Sequence, residues 1–415
     1  MSLLRGSAVA LVLKVTSAFV SFVVAASITR NLGTDQAGQY FYATSLVILF
    51  VSICGLGLNN SVLKYVSIFY TNNNNQMLNA IVNKSVLWSA VFSLFFISIA
   101  TLIMKFFPSL FGEDNQYFYF FLLSVPALTI IALISHAIQA KGHIAMSMII
   151  AGLIQPLSFL IINLVTGPQE IGPLAMSYLY SVLLALSLCI IFWLTNGEFS
   201  FNINFDTRVL LASCSSLLVF QVFQQFNTVI GQLFLGVWGT NTQVALFAVS
   251  IKVAAFTSFI MFAVNRVVAP KFASLFADED YEGLKNAVSQ SKKIMLLATL
   301  PLISCLMIFP DFVLGIFGDE YRASAPVLRV LALIQFFAVW VGSVSYLLIM
   351  TGQEKSHRNN VIIATFISCV VGFVLVPIYP LWGAVMISGL CVTITAFLSS
   401  RVVSKELNIN MFSLS

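Results

Sequence analysis

The sequence predicts an all-α integral membrane protein with about twelve transmembrane helices. Hydrophobic residues make up 59% of the 415 residues and charged residues only 8%, whereas about a quarter of a soluble domain is charged. The mean hydropathy is +0.98. The apolar stretches run for about 20 residues or more, which suits membrane-spanning helices and is about twice the length of barrel strands. These observations exclude a soluble globular chain.

Polar connections between the apolar stretches give the order of the helices. The first stretch, Ser7 to Thr29, is too long for the apolar region of a signal peptide, so we expect it to remain as a span. Pro156 predicts a kink in the fifth span, and Pro377 and Pro380 predict a tight turn after the eleventh. The predicted helices centre near residues 18, 50, 93, 127, 155, 183, 222, 254, 301, 337, 368 and 391.

Lysine and arginine residues are distributed unequally between the two sides of the predicted bundle. Cytoplasmic loops carry an excess of these residues. We therefore expect both termini in the cytoplasm, and the net charge of +5 reflects this loop bias and predicts no nucleic-acid partner. With that orientation, the opposite side carries only Arg30, Lys105, Arg322 and Arg329.

Cysteine and histidine residues predict neither a metal site nor an active site. All six cysteines lie within apolar stretches without CxxC spacing, so we expect no disulfide framework. The three histidines lack the spacing of metal ligands. Because no constellation for hydrolysis or group transfer is present, we expect no enzyme and no cofactor, and the coupling ion stays open.

An internal repeat relates the two halves of the chain at an offset of about 206 residues. It pairs NLGTDQAGQYFYATSLVILF, containing Gly33, with VWGTNTQVALFAVSIKVAAF, containing Gly239. Because each repeat holds an even number of helices, both halves enter the membrane from the same side. We predict two pseudo-twofold-related six-helix bundles, residues 1–200 and 201–415, around a central cavity. Residues 278–293 predict a short amphipathic cytoplasmic helix that serves as a connector.

A stripe of polar residues follows one face of the predicted seventh span. Gln221, Gln224, Gln225, Thr228 and Gln232 recur at i, i+3, i+4, i+7 and i+11, which places them together on a helix. Such residues can join helices by amide hydrogen bonds, each contributing on the order of 1 kcal/mol. Three consecutive polar turns favour the alternative, a face that lines a water-filled cavity and binds sugars.

The first span, which is the repeat partner of the seventh, carries Lys14, Ser17 and Ser21 on one face. We expect these residues to line the cavity too, with Lys14 binding an anionic group and the serines binding sugar. Lys14 also lies about two turns from the predicted cytoplasmic end. An interfacial lysine that reaches lipid headgroups is therefore the competing interpretation.

Lys252 lies near the middle of the apolar stretch Val244 to Val264, and no aspartate or glutamate lies inside any such stretch. An ammonium at the bilayer centre costs roughly 2.5–3.5 kcal/mol, so it persists facing water, a partner or an anion. On one continuous helix, Arg266 follows on the same face about 21 Å away. This pair predicts a diphosphate site. The alternative is a hydrated lysine bonded to backbone carbonyl groups.

Several motifs resemble those of a known transporter family. The early stretches are LGTDQAGQYFYATSLV, GLGLNNSVLKYVS and NRVVAPKFASLF, and the later ones include IFGDEYRASAPVLRVLALIQFF and LLIMTGQEKSHRNNVIIATFISCVVGFVLVPIYPLWGAV. In this order they resemble the Wzx-type repeat-unit flippases. These form the polysaccharide-transporter branch of the multidrug/oligosaccharidyl-lipid/polysaccharide exporter superfamily.

The resemblance implies a cargo and a mechanism. The cargo is an undecaprenyl-diphosphate-linked oligosaccharide that moves from the cytoplasmic to the periplasmic leaflet of the bacterial inner membrane, for O-antigen or capsule assembly. Two six-helix bundles form a V-shaped, cation-lined cavity and work by alternating access, with the lipid tail in the bilayer and a monomer as the transport unit. The partners implied are membrane lipids, a polysaccharide polymerase and glycosyltransferases.

Three other classes compete with this interpretation. A major-facilitator porter lacks support because its Gly-x-x-x-Asp-Arg signature is missing, and a scaffold for glycosyltransferases does not need polar faces within its spans. The nearest rival is a cation- or proton-coupled multidrug antiporter of the same superfamily, which needs a carboxylate inside the bundle. Seven acidic residues instead lie in predicted outer loops or span ends, namely Asp35, Glu113, Asp114, Glu170, Asp311, Asp319 and Glu320.

Overall fold

The computed structural model describes residues 2–106, 116–195 and 207–412, with side chains described in 9–106, 116–195 and 218–412. Every regular element in these ranges is helical. Glu113, Asp114 and the predicted boundary between residues 200 and 201 lie outside the described residues. The helices are α1 (Ser2–Cys54), α2 (Leu58–Thr71), α3 (Asn75–Phe106), α4 (Phe118–Ala140), α5 (Ile144–Gly152), α6 (Ile154–Thr166), α7 (Ile171–Thr195), α8 (Thr207–Trp238), α9 (Asn241–Ala254), α10 (Thr257–Ala277), α11 (Tyr281–Ile308), α12 (Pro310–Gly315), α13 (Ala325–Val341), α14 (Val344–Met350), α15 (Glu354–Ile378) and α16 (Pro380–Leu407), with a 3-10 helix at Asp319–Ser324.

The described helices confirm a multi-pass membrane protein of about twelve spans. Ten stretches in the described ranges are long and apolar enough to cross a membrane. One of them, Val9–Cys54, contains two helices joined at Gly33, and α8 adds a further helix of 32 residues. The helices divide into two compact units, and the division between Val229 and Ile230 falls within α8.

Gly33 joins the first two spans. Its backbone has φ 72° and ψ −178°, a conformation that a residue with a side chain adopts only with strain. Glycine at this position therefore lets the chain leave one helix and enter the next without an intervening loop. Gly33 is also the residue that opens the predicted repeat.

The predicted kink at Pro156 is confirmed, because the fifth span is broken between α5 and α6. Proline has no N–H, so Pro156 leaves the carbonyl of Gly152 without its usual helical donor. The hydroxyl of Ser17 donates to that carbonyl oxygen. Gly152 has no side chain, and a Cβ there would lie 3.2 Å from the Ser17 hydroxyl. The break thus brings α1 close to α5.

The first unit is packed around four buried aromatic rings contributed by α1, α4, α6 and α7. Tyr40 stacks on Phe159 with 5.9 Å between ring centroids, and Tyr178 lies 5.0 Å from Phe121 and 5.4 Å from Phe159. Edge-to-face and stacked contacts of this kind add to the stabilisation from burial. The cluster holds four helices of the first unit together.

Residues 281–293, predicted as part of a short amphipathic connector, instead form the first turns of α11, a helix of 28 residues. The Asp280 carboxylate caps this helix by accepting the Gly283 N–H at 2.8 Å. Leu284 and Val288 are buried in the core of the second unit. The helical spacing seen in the sequence is therefore real, but the apolar face packs on protein and the helix continues as a span.

The tight turn predicted at Pro377 and Pro380 is confirmed, since α15 ends at Ile378 and α16 begins at Pro380. Gly383 then passes very close to α15. A Cβ at this position would lie 2.9 Å from the Cα of Val376. Because the atom it would meet belongs to the backbone, it cannot move aside as a flexible side chain would.

Gly383→Ala is expected to lower the free energy of unfolding by about 1–3 kcal/mol, the usual effect of overpacking. Thermal unfolding of the purified protein in detergent measures it. The control is Gly172→Ala on α7, where nothing lies within 4 Å of the added Cβ. Equal unfolding midpoints for the two variants would contradict this packing.

Candidate functional site

The polar stripe of α8 is partly exposed. Gln224 and Thr228 are exposed and Gln221 and Gln225 are half-buried. The Thr228 hydroxyl donates to the carbonyl of Gln225 at 2.6 Å. The exposed side-chain amide of Gln224 carries N–H donors and a carbonyl acceptor that need hydrogen-bond partners. Hydrocarbon offers no hydrogen-bond partner, so an exposed amide on a membrane helix meets water or a polar ligand. This surface, Gln221, Gln224, Gln225 and Thr228, is called the glutamine face below.

Gln221 adds an unmet acceptor to the glutamine face. Its Oε1 atom is buried and has no hydrogen-bond partner among the described residues. An unsatisfied buried polar atom costs about 1–3 kcal/mol. This oxygen is closed to solvent, so a binding role for the glutamine face depends on the exposed Gln224 and Thr228.

Gln232 differs from the other four residues of the predicted stripe because it is buried. Its exposed fraction is 8%, and it lies in the second unit beside Gly231. A Cβ at Gly231 would approach Phe247 to 2.5 Å and the Ser388 hydroxyl to 2.6 Å, so α8 is tightly packed here. The interior position of Gln232 supports the helix-joining role rather than the cavity-lining one.

The three predicted site residues of α1 also differ in exposure. Lys14 is exposed, whereas Ser17 and Ser21 are half-buried. The Ser17 hydroxyl donates to Gly152, and the Ser21 hydroxyl donates to the carbonyl of Ser17 at 2.9 Å. The two serines therefore satisfy backbone groups, and Lys14 is the residue of this set whose side chain is open to a ligand.

Lys252 and Arg266 lie on one span, Asn241–Ala277, whose regular helical hydrogen bonding is interrupted at Ala255 and Phe256. Helix α9 ends at Ala254 and α10 begins at Thr257, which places Lys252 in the last turn of α9. Unpaired carbonyl groups at a helix C-terminus favour a cation. The sequence placed Lys252 correctly within a span but missed the break beside it.

Two hydroxyl groups satisfy the backbone at this break. Thr257 donates to the carbonyl of Ala254 at 2.9 Å, and Ser258 donates to the carbonyl of Ala255 at 2.6 Å. Broken helices persist at membrane depth only where such groups, or water, replace the lost helical bonds. The adjacent threonine and serine are the sequence signal that could have revealed the break.

Arg266 lies on α10 and is exposed. The guanidinium carbon is 5.1 Å from the centroid of the Phe262 ring, a cation–π contact that orients the side chain. The predicted spacing of about 21 Å assumed a regular helix, and the turn at Ala255 and Phe256 lies between the two residues. Lys252 and Arg266 are therefore cations on two successive helices of the second unit.

The described residues contain no group of three or more histidine, cysteine, aspartate or glutamate residues that could hold a metal ion. The candidate site is instead made of neutral amides and cations. Amides accept from and donate to hydroxyl groups, and ammonium and guanidinium groups bind phosphate oxygens. Taken residue by residue, the amides of α8 suit hydroxyl groups, and the cations of α1, α9 and α10 suit anions.

Solved structures share this fold over nearly the whole chain. The lipid II flippase MurJ in an inward closed conformation has a TM-score of 0.79 at 12% identity, covering 95% of this chain and 87% of its own. An inward-facing multidrug resistance MATE family transporter of the MOP superfamily has 0.74 at 15% identity, covering 97% and 95%. A MOP superfamily transporter from Pyrococcus furiosus has 0.67 at 12% identity, covering 98% and 95%. The fold is that of the MOP-superfamily transporters and flippases.

The sequence itself matches a family model. The model describes polysaccharide biosynthesis proteins and matches residues 71–326, more than half of the 415 residues. The chain belongs to the polysaccharide biosynthesis protein family. No curated protein matches the sequence.

If the glutamine face is wet, Gln224→Cys and Thr228→Cys in a cysteine-free background should react with a water-soluble maleimide, because the reactive thiolate forms in water. The rate of labelling in native membranes is the measurement. Leu184→Cys on α7 is the control, since Leu184 is exposed at 45% on an apolar helix and should label at least tenfold more slowly. Similar rates at all three positions would show that exposure alone, and not water, decides reactivity.

Proposed function

We propose that this protein flips undecaprenyl-diphosphate-linked oligosaccharide repeat units from the cytoplasmic to the periplasmic leaflet of the bacterial inner membrane. The product serves O-antigen or capsular polysaccharide assembly. The transport unit is a monomer whose two halves alternate access to a central, V-shaped cavity, with both termini in the cytoplasm. Membership of the polysaccharide biosynthesis protein family supports a glycan cargo.

The observation that carries this proposal is the glutamine face on α8. Gln224 and Thr228 are exposed on a helix that belongs to a 59% hydrophobic chain. Sugar hydroxyls donate and accept hydrogen bonds, as amides do, and neither group brings a charge into the membrane. A face of neutral amides therefore suits the oligosaccharide part of the cargo better than it suits an organic cation.

The diphosphate part of the cargo requires cations. Lys252 is half-buried at the end of α9, and Lys14 and Arg266 are exposed. Hydrogen bonds between ammonium groups and phosphate are about twice as strong as neutral ones. We assign Lys252 to the diphosphate because a partly desolvated cation gains most from an anion, with Lys14 and Arg266 as accessory cations nearer the cytoplasmic side.

The alternative is a cation- or proton-coupled multidrug antiporter of the same superfamily, and the placement of the carboxylates supports the flippase over it. Asp35 and Glu170 are exposed, as are Asp311 and Glu320. In the described parts of the chain, none of these four lies in the middle of a span. A carboxylate that binds a coupling cation or proton needs a shielded position, so the charges of this chain favour an anionic cargo.

The lipid-linked cargo places the protein between two classes of enzyme. Glycosyltransferases that use the lipid diphosphate as acceptor must supply the substrate on the cytoplasmic side. A polymerase or ligase that releases the lipid diphosphate must consume the product on the other side. Transient contact with these enzymes and with membrane lipids completes the proposed set of partners.

Deleting the gene should cause lipid-linked oligosaccharide to accumulate on the cytoplasmic face. Lys252→Ala should lower export of surface glycan roughly 10- to 100-fold, because one charge-assisted hydrogen bond to the cargo is lost. Surface glycan and membrane-bound precursor are quantified in the complemented deletion strain. Lys293→Ala, which removes an exposed lysine of α11, is the control and should export normally. Wild-type export by Lys252→Ala would remove this residue from the site.

A further inference from the structure

Lys292 on α11 is a buried lysine that the proposed transport site does not use. Its exposed fraction is 2%. The ammonium group donates to the main-chain carbonyl of Met411 at 2.7 Å and lies 5.3 Å from the centroid of the Trp340 ring. A buried ammonium is stable only when partners replace its water. Here one of those partners belongs to the segment that follows α16.

The segment after α16 turns back onto the second unit. Asn408 ends α16 with φ 53°, and the exposed fractions of Ile409 and Met411 are 3% and 2%. We call residues 408–411 the docked segment. Its two apolar side chains complete a core cluster that includes Phe272, Leu284, Ala287, Val288, Val341, Val344, Leu347, Leu348, Val403 and Leu407.

The stem of Lys292 also contacts the junction of α13 and α14. Gly342 has φ 84° at this junction, and a Cβ there would lie 3.8 Å from the Cβ and Cγ of Lys292. The lysine thus touches the backbone at a helix break, an aromatic ring and the docked segment. Movement of the docked segment therefore changes the surroundings of the Lys292 ammonium group.

A second acceptor lies on the neighbouring helix. The Oδ1 atom of Asn265 is buried and has no hydrogen-bond partner among the described residues. Helices α10 and α11 form an antiparallel hairpin in which Phe276 contacts Tyr281 with 6.4 Å between centroids. Asn265 precedes Phe276 on α10 by as many residues as Lys292 follows Tyr281 on α11. In an antiparallel hairpin the unmet acceptor and the buried donor are therefore at the same level on adjacent helices, and an unmet buried acceptor requires an explanation.

We propose that Lys292 is a two-position latch for the docked segment. When the segment is docked, the ammonium group is held by the carbonyl of Met411. When the segment leaves, the flexible lysine stem turns the ammonium group to Oδ1 of Asn265, which keeps the buried charge satisfied in both states. Because Asn265 directly precedes Arg266, the exchange acts on the helix that carries an accessory cation of the proposed site.

The latch is independent of the identity of the cargo and is tested without transport. Met411→Cys in a cysteine-free background keeps the main-chain carbonyl and reports undocking by its rate of reaction with a maleimide. Adding Lys292→Met should raise the labelling rate about tenfold or more, because the carbonyl loses its donor. Adding Asn265→Leu should lower the rate several-fold, because the undocked state loses its acceptor. Lys293→Met, at the exposed neighbouring lysine, should leave the rate unchanged.

The opposite signs of the two effects separate a latch from a structural contact. If Lys292 only stabilises the unit, both variants loosen it and both raise the labelling rate, which overturns the proposal. An unchanged rate in Lys292→Met overturns it as well. In the double variant Lys292→Met/Asn265→Leu, the rate should equal that of Lys292→Met alone. If Lys292→Met does not fold, Lys292→Gln, which keeps a neutral donor, should give an intermediate rate, and a wild-type rate there counts against the latch.

Discussion

Hydrocarbon provides no hydrogen-bond partners, and this constraint governs both the fold and the candidate site. Two of the interrupted helices of the described chain have a side-chain donor at the interruption. Ser17 supplies the carbonyl that Pro156 leaves free, and Thr257 supplies a carbonyl where α9 ends. These hydroxyls make irregular backbone tolerable at membrane depth. At these two breaks a side-chain hydroxyl replaces a donor that the helix has lost.

The same constraint identifies which polar residues remain for a ligand. Ser17 and Ser21 are taken up by backbone groups, and Gln232 is packed inside the second unit. Gln224 and Lys14 are exposed on two helices that also expose valine and other apolar side chains. Polar side chains left over after the internal needs are met are the candidates for contact with a polar ligand. Neutral amides and isolated cations then suit a sugar and a phosphate.

Much of this architecture could be predicted from the sequence, because span length and hydropathy directly reflect the membrane. The kink at Pro156 was also predictable, since proline lacks an N–H. The sequence placed Gly33 in the internal repeat, but its positive φ between two spans is seen only in the structure. The break after Ala254 was not, because the residues around it are as apolar as those of an unbroken span. The contact between Lys292 and Met411 joins residues 119 positions apart, a separation that no local pattern encodes.

The central claim is that the polar faces carry a lipid-linked glycan across the bilayer. For the most direct measurement, the purified protein is reconstituted into liposomes that contain an undecaprenyl-diphosphate oligosaccharide on the inner leaflet. Exposure of the oligosaccharide to an external, membrane-impermeant glycosidase is then followed. The account predicts protein-dependent exposure that an externally added soluble diphosphate sugar slows. Exposure no faster than in protein-free liposomes, in preparations where the protein is folded and inserted, would contradict it.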